Sequence, residues 1–315
     1  MNLPRRVTLV EVGPRDGLQN EAEIVRTGDK IAFIDRLSNA GFSLIEIGAF
    51  VSPKWVPQMG DAAEVCAGIA RRAGTRYSAL VPNLAGLERA HEAGVSDIAI
   101  FAASSDAFSR KNINQSIDQS LIAYAAVCRR ALDVGMRVRA YLSTAFGCPF
   151  EGVVDPARVG AIAATLLDIG AYEVAVSDTI GIAHPGQVPT VVAAVSAHVP
   201  LERIALHFHD TRGTALANVL AALDVGITTF DSSAGGLGGC PYAPGATGNL
   251  ATEDLVYMLN GLGISTGVDL DAVLAASSFI EERVGHPLVS RYYRAAKAPR
   301  AGLSSSPPGD RHSSS

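Results

Sequence analysis

The sequence predicts a single (β/α)8 barrel, and three observations carry that prediction. Eight short, β-branched runs alternate with longer helical patterns along the 315 residues. No shift in composition divides the chain, and 48% hydrophobic residues with a mean hydropathy of +0.22 supply one large core. Polar residues also collect at the carboxyl ends of the strand runs, where such barrels keep their chemistry. A doubly wound sheet is the alternative. It is weakened because the first strand runs into Gly13-Pro14-Arg15-Asp16-Gly17 and not into a dinucleotide fingerprint, and no GxxxxGK[ST] occurs.

The strand runs are residues 7–12, 44–48, 77–81, 97–101, 137–143, 173–177, 204–209 and 228–232. Each is short, largely apolar and imperfectly alternating, as expected of parallel strands buried on both faces. The first helix starts near Thr27, read as an N-cap, carries Ile31, Ile34 and Leu37, and stops at Gly41. Further helices are expected over 62–70, 84–93, 116–134, 156–169, 188–199, 216–223 and 252–262. After the barrel, 270–284 reads as an extra C-terminal helix. From about Ala298 the chain turns Pro/Ser/Gly-rich and is expected to be a disordered tail, leaving 1–297 as one catalytic domain.

Charge narrows the function class. Lys and Arg number 26 against 31 Asp and Glu, a net charge of −5 and a pI near 5.8, which argues against a phosphate-backbone binder. No apolar run reaches the ~18 residues of a membrane span. Four cysteines without a CxxC pair do not make a disulfide framework. A strand run beginning at residue 7 leaves no room for a signal peptide, so a cytoplasmic enzyme is expected.

Along the strand ends, His207 and His209 give the sharpest signal. At i, i+2 on a strand their imidazoles project to one face and can share a metal ion. His91, His198, His286 and His312 carry no such pattern and read as packed or surface residues. Asp16 adds a carboxylate after strand one, which neighbours strand eight in a closed barrel. Mixed imidazole and oxygen ligands suit Mg²⁺, Mn²⁺ or a similar divalent ion. Arg15 beside Asp16 can stabilise an enolate or carboxylate oxygen. Glu11, Glu46, Ser143, Asp178 and Asp231 fall at other strand ends. The glycine-rich segment 235–245 flanks Cys240, a thiol able to pass a proton when its surroundings shift it. Cys66 and Cys128 fall inside helical patterns and read as packing residues, while Cys148 lies in a loop beyond strand five.

Five stretches, Glu11-Val-Gly-Pro-Arg-Asp-Gly-Leu-Gln-Asn-Glu21, Phe50-Val-Ser-Pro-Lys-Trp-Val-Pro-Gln-Met-Gly-Asp61, His207-Phe-His-Asp-Thr211, Gly236-Leu-Gly-Gly-Cys-Pro-Tyr-Ala243 and the segment 248–259, resemble the hydroxymethylglutaryl-CoA lyase family. That family belongs to the DRE-TIM metallolyases, whose Asp-Arg-Glu set Asp16, Arg15 and Glu46 resemble. The resemblance implies metal ligands Asp16, His207, His209 and Asn249, with Mg²⁺ or Mn²⁺ as cofactor. It implies Cys240 as catalytic thiol, Arg15 as the substrate-binding and enolate-stabilising cation, and Glu46 and Asp178 as further catalytic residues. The implied reaction is cleavage of (S)-3-hydroxy-3-methylglutaryl-CoA to acetoacetate and acetyl-CoA by a homo-oligomer, expected to be a dimer, with a place in leucine degradation and ketone-body formation. Two departures from the family pattern, Arg212 and His184, leave open the same cleavage of another 3-hydroxy-3-alkylglutaryl-CoA or citramalyl-type acyl-CoA. An acetyl-CoA-condensing synthase is the alternative of a different class, and Leu18-Gln19-Asn20-Glu21 argues against it.

Overall fold

The computed structural model describes residues 3–239 and 248–298, so Cys240 and nearly all of the expected tail lie outside the described residues. Eight parallel strands form a closed barrel in chain order: β1 Thr8–Glu11, β2 Leu44–Ala49, β3 Arg76–Leu80, β4 Asp97–Ala103, β5 Arg137–Ser143, β6 Glu173–Asp178, β7 Ile204–Phe208 and β8 Thr229–Ser232. Closure comes from β1 against β8, with Thr8 opposite Thr229 and Glu11 opposite Ser232. The expected (β/α)8 architecture is therefore the observed one. Nearly every strand residue is buried, which explains why the sequence shows apolar runs and not clean alternation.

Helices α1 Thr27–Asn39, α2 Ala62–Gly68, α3 Leu84–Glu92, α5 Ile117–Asp133, α6 Pro156–Asp168, α7 Val188–Ser196, α8 Ala215–Asp224, α9 Thr252–Gly261 and α10 Leu270–Val284 follow the expected pattern. Their starts are chemically marked. Ser116 and Gln119 form a reciprocal capping box on α5, and Asp155 caps α6 with Pro156 in its first turn. The start of α1 differs by one residue from the expectation. Thr27 is already helical, and its hydroxyl donates to Asp61 Oδ2 at 2.8 Å in place of capping.

Two helices have no forerunner in the periodicity. The first, α4 Asp106–Ile113, buries only Phe108 and Ser109, and Ser105 caps it. The other, α11 Arg291–Lys297, buries only Tyr293 and starts where Asp254 accepts from Ser290 Oγ and from the amides of Arg291 and Tyr292. Neither has an apolar stripe to read. Cys66, Cys128 and Cys148 are all buried, the last with Sγ 2.9 Å from Ser105 Oγ. No helix among the described residues is long and apolar enough to cross a membrane.

Candidate metal centre

After β1 the chain makes a tight helical turn over the barrel mouth. The Val12 carbonyl accepts from the amides of Arg15, Asp16 and Gly17 at 3.1, 2.8 and 3.2 Å. Both flanking glycines are sterically required there. A Cβ at Gly13 would meet Glu11 Oε1 at 2.5 Å, and one at Gly17 would meet Leu237 at 2.9 Å. Glu11 secures the same turn by accepting from the Gly13 and Ala234 amides and from Thr252 Oγ1. Burial pushes the Glu11 carboxyl up to about 8.

The turn delivers Asp16 to the end of β7. His207 Nε2 and His209 Nε2 lie 3.1 Å apart, and 4.0 and 3.9 Å from Asp16 Oδ2. These three are a group whose ligand atoms all fall within 4.8 Å of one another. Two features fit a cation. The 3.1 Å imidazole spacing matches the ~3 Å between adjacent ligands set about 2.1 Å from a hard ion. The Asn249 amide donates to Asp16 Oδ2 at 3.0 Å and to the Leu237 carbonyl at 3.1 Å, which leaves Oδ1 buried without a hydrogen-bond partner among the described residues. A short bridge between His209 and Asn249, with the Asp210 amide donating to the Gly248 carbonyl at 3.0 Å, holds Asn249 beside the pair. The donor set of nitrogens and oxygens, with no thiolate among the three, suits a hard divalent cation.

A buried ion-pair chain supports the histidines from inside the barrel. His207 Nδ1 lies 3.1 Å from Asp231 Oδ2, so the proton belongs on Nδ1 and Nε2 is free to ligate. Arg139 grips both Asp231 oxygens at 3.1 and 2.7 Å and reaches Glu173 at 2.7 Å. Arg139 is only 2% exposed, in the middle of β5.

On the other side stands Arg15. It pairs with Asp16, and its Nη2 lies 2.6 Å from Glu46 Oε2, which also accepts from Tyr141 OH at 3.0 Å. A register shift between Glu46 and Gly48 against β3 leaves Ile47 as the extra residue of a bulge next to Glu46. Burial tends to raise the Asp16 carboxyl, yet Arg15, His207 and His209 together hold it well below the carboxylate range. The Glu46 carboxyl is raised, because burial outweighs Arg15. Burial and the neighbouring His207 push His209 down to about 4, which keeps its ring neutral and ready to ligate.

These residues border a cavity of about 470 Å³. Arg15, Asp16, His207 and His209 form its polar wall, and Leu80, Phe101 and Phe108 belong to its apolar wall. Gly239, which precedes Cys240 in the sequence, lines it as well.

Of the expected site residues, Arg15, Asp16, Glu46, His207, His209 and Asn249 come together. Glu46 does not reach the cavity wall; it stands behind Arg15. Asp178 is also off the wall. Its oxygens accept from the Ile182 and Ala183 amides at 2.9 and 3.0 Å, and burial raises its carboxyl to about 6. Glu46 thus braces Arg15, and Asp178 braces the loop after β6. Sequence reasoning placed Asp231 at a strand end without a role and did not single out Arg139 or Tyr141. An arginine two residues from a tyrosine in the interior of β5 was the available signal, since period two puts both on one face.

Comparison with known proteins identifies the chain's relatives. A family model described as HMGL-like matches residues 6–280. A relative from Pseudomonas aeruginosa, named 3-hydroxy-3-isohexenylglutaryl-CoA/hydroxy-methylglutaryl-CoA lyase, is 54% identical over 95% of this chain and 98% of its own length. The crystal structure of hydroxymethylglutaryl-CoA lyase from Pseudomonas aeruginosa superposes with a TM-score of 0.93 at 54% identity, covering 95% of this chain and 100% of that one. An HMG-CoA lyase structure from Acinetobacter baumannii, in complex with coenzyme A and 3-methylmalate, gives 0.89 at 40% identity over 96% and 98%.

Proposed function

The chain belongs to the HMGL-like family, and from that membership we propose that it cleaves (S)-3-hydroxy-3-methylglutaryl-CoA to acetoacetate and acetyl-CoA. The observation that carries the reading is the convergence of Asp16, His207 and His209 beside Arg15 on one wall of an acyl-sized cavity. The Acinetobacter baumannii relative's complex with coenzyme A supports an acyl-CoA occupant.

Asp16, His207, His209 and Asn249 would hold the divalent ion, Mg²⁺ or Mn²⁺. When bound, such an ion supplies Lewis acidity that lowers the pKa of the substrate's tertiary hydroxyl. Cleavage then needs a base for the hydroxyl proton, and the C2–C3 bond breaks as the C3 carbonyl forms. The leaving fragment is the enolate of acetyl-CoA. Arg15 is fixed by Asp16 and Glu46, with its guanidinium 5.2 Å from the Tyr141 ring centroid, and it keeps its charge because both carboxylates raise its pKa against burial. That fixed cation is suited to the developing enolate oxygen. Cys240, next in sequence after the cavity-lining Gly239, is the proposed proton donor to the enolate carbon. A cytoplasmic homodimer serving leucine breakdown belongs to the same proposal.

The test is product analysis. Purified protein with divalent metal and (S)-3-hydroxy-3-methylglutaryl-CoA should yield acetoacetate and acetyl-CoA in equal amounts. Cleavage of only a longer 3-alkyl analogue in a substrate panel would move the specificity. Net condensation of acetyl-CoA with a keto acid, without cleavage, would overturn the lyase reading.

A further inference from the structure

Barrel closure is complete at β8, yet the chain runs on through α9 and α10 and then returns to the barrel mouth as residues 285–298. There it grips each of the three loops that carry the proposed ligands. On the β8 side, the Val289 and Ser290 amides both donate to the Gly235 carbonyl at 3.1 Å. Leu288 and Val289 press so closely on Gly235 and Gly236 that a Cβ on either glycine would meet them at 2.3 and 2.6 Å. At the β7 loop, Arg291 Nη1 donates to Asp210 Oδ2 at 2.9 Å. Asp210 directly follows His209, and its amide holds the Gly248 carbonyl next to Asn249. At the β1 loop, His286 Nε2 lies 2.7 Å from Glu21 Oε2, at the end of the turn Leu18–Asn20 that follows Asp16.

The segment is itself anchored away from the site. Asp254 fixes its backbone at Arg291 and Tyr292, and Glu281 accepts from Tyr293 OH and pairs with Lys297. None of residues 285–298 lines the cavity. We propose that this segment is a positioning strap, in which His286 and Arg291 hold the loops bearing Asp16 and His209 at ligand spacing. The inference rests on the metal site proposed above. Exposed ion pairs such as Arg291–Asp210 contribute little to global stability. Partners that orient ligating residues, by contrast, change metal affinity about 10–100-fold when lost. The strap thus acts on affinity more than on folding.

The experiment is Mn²⁺ titration of metal-stripped, full-length protein, followed by electron paramagnetic resonance, with Tm measured in parallel on metal-free samples. The double variant His286→Ala, Arg291→Ala should raise the Mn²⁺ Kd by about tenfold while metal-free Tm barely moves. Arg291→Lys should recover part of that loss, and Arg294→Ala, on the exposed side of the same helix, should leave Kd unchanged. An unaltered Kd in the double variant overturns the strap. So does an equal loss in Arg294→Ala. Wild-type protein that binds no Mn²⁺ overturns the metal site itself, a result distinct from either of these.

Discussion

Arg15 holds its charge inside the barrel mouth because two carboxylates, Asp16 and Glu46, face it at ion-pair distance. Its proposed work is electrostatic: a fixed positive charge aimed at negative charge that exists only as the carbon–carbon bond breaks. Arg15→Gln keeps a neutral hydrogen-bond donor on a shorter side chain and loses the charge. The expected outcome is a kcat loss on the order of 10²–10³ with KM little changed, read from steady-state kinetics. A change confined to KM would make Arg15 a ground-state binder. The sequence made this residue legible, as it did His207 and His209, because both signals are local: neighbours after a strand, or i, i+2 on one. Asn249 was legible only through family resemblance. Its contact to Asp16 depends on a bridge to His209 that no spacing encodes. The pairing of Arg139 with Asp231 was hidden for a related reason. Each looks like an isolated charge until barrel closure puts them 2.7 Å apart.

At the scale of elements, the glycine segment after β8 depends on the missing Cβ atoms. Gly238 has φ +131°, and a Cβ there would meet Asn249 Nδ2 at 2.6 Å. Gly238→Ala should therefore displace the Asn249 amide and weaken Mn²⁺ binding by about tenfold, measurable by calorimetric titration. The root of the segment is pinned by Glu253, whose oxygens accept from the Gly235 amide at 2.9 Å and from Ser277 Oγ. Burial raises the Glu253 carboxyl from 4.5 to about 7, although those donors oppose it. The sign follows from linkage. Stability from this group is complete below about 4.5, where both folded and unfolded chains hold the proton, and is lost as pH rises through about 7. Melting curves should show wild-type Tm falling between pH 5.5 and pH 8, with a shallower fall in Glu253→Gln. An identical slope in the variant would remove Glu253 from the pH dependence. Helices α4 and α11 belong to this scale too: they form through caps and tertiary contacts, which a search for apolar periodicity does not detect.

Over the whole molecule, closure of β1 against β8 is what makes the site. Asp16 and Asn249 lie near opposite ends of the sequence and meet at 3.0 Å because the first and last strands are neighbours. The eight strands and their order were legible because parallel strands buried on both faces leave a distinctive apolar run, repeated at barrel spacing. The polar lining of the barrel was less so, since each charged residue has its partner on a different strand. Metal dependence of the cleavage tests this account most directly. Protein stripped by chelator should fold normally but fail to release acetoacetate from (S)-3-hydroxy-3-methylglutaryl-CoA, and Mg²⁺ or Mn²⁺ should restore turnover. Undiminished cleavage by rigorously metal-free protein would contradict it.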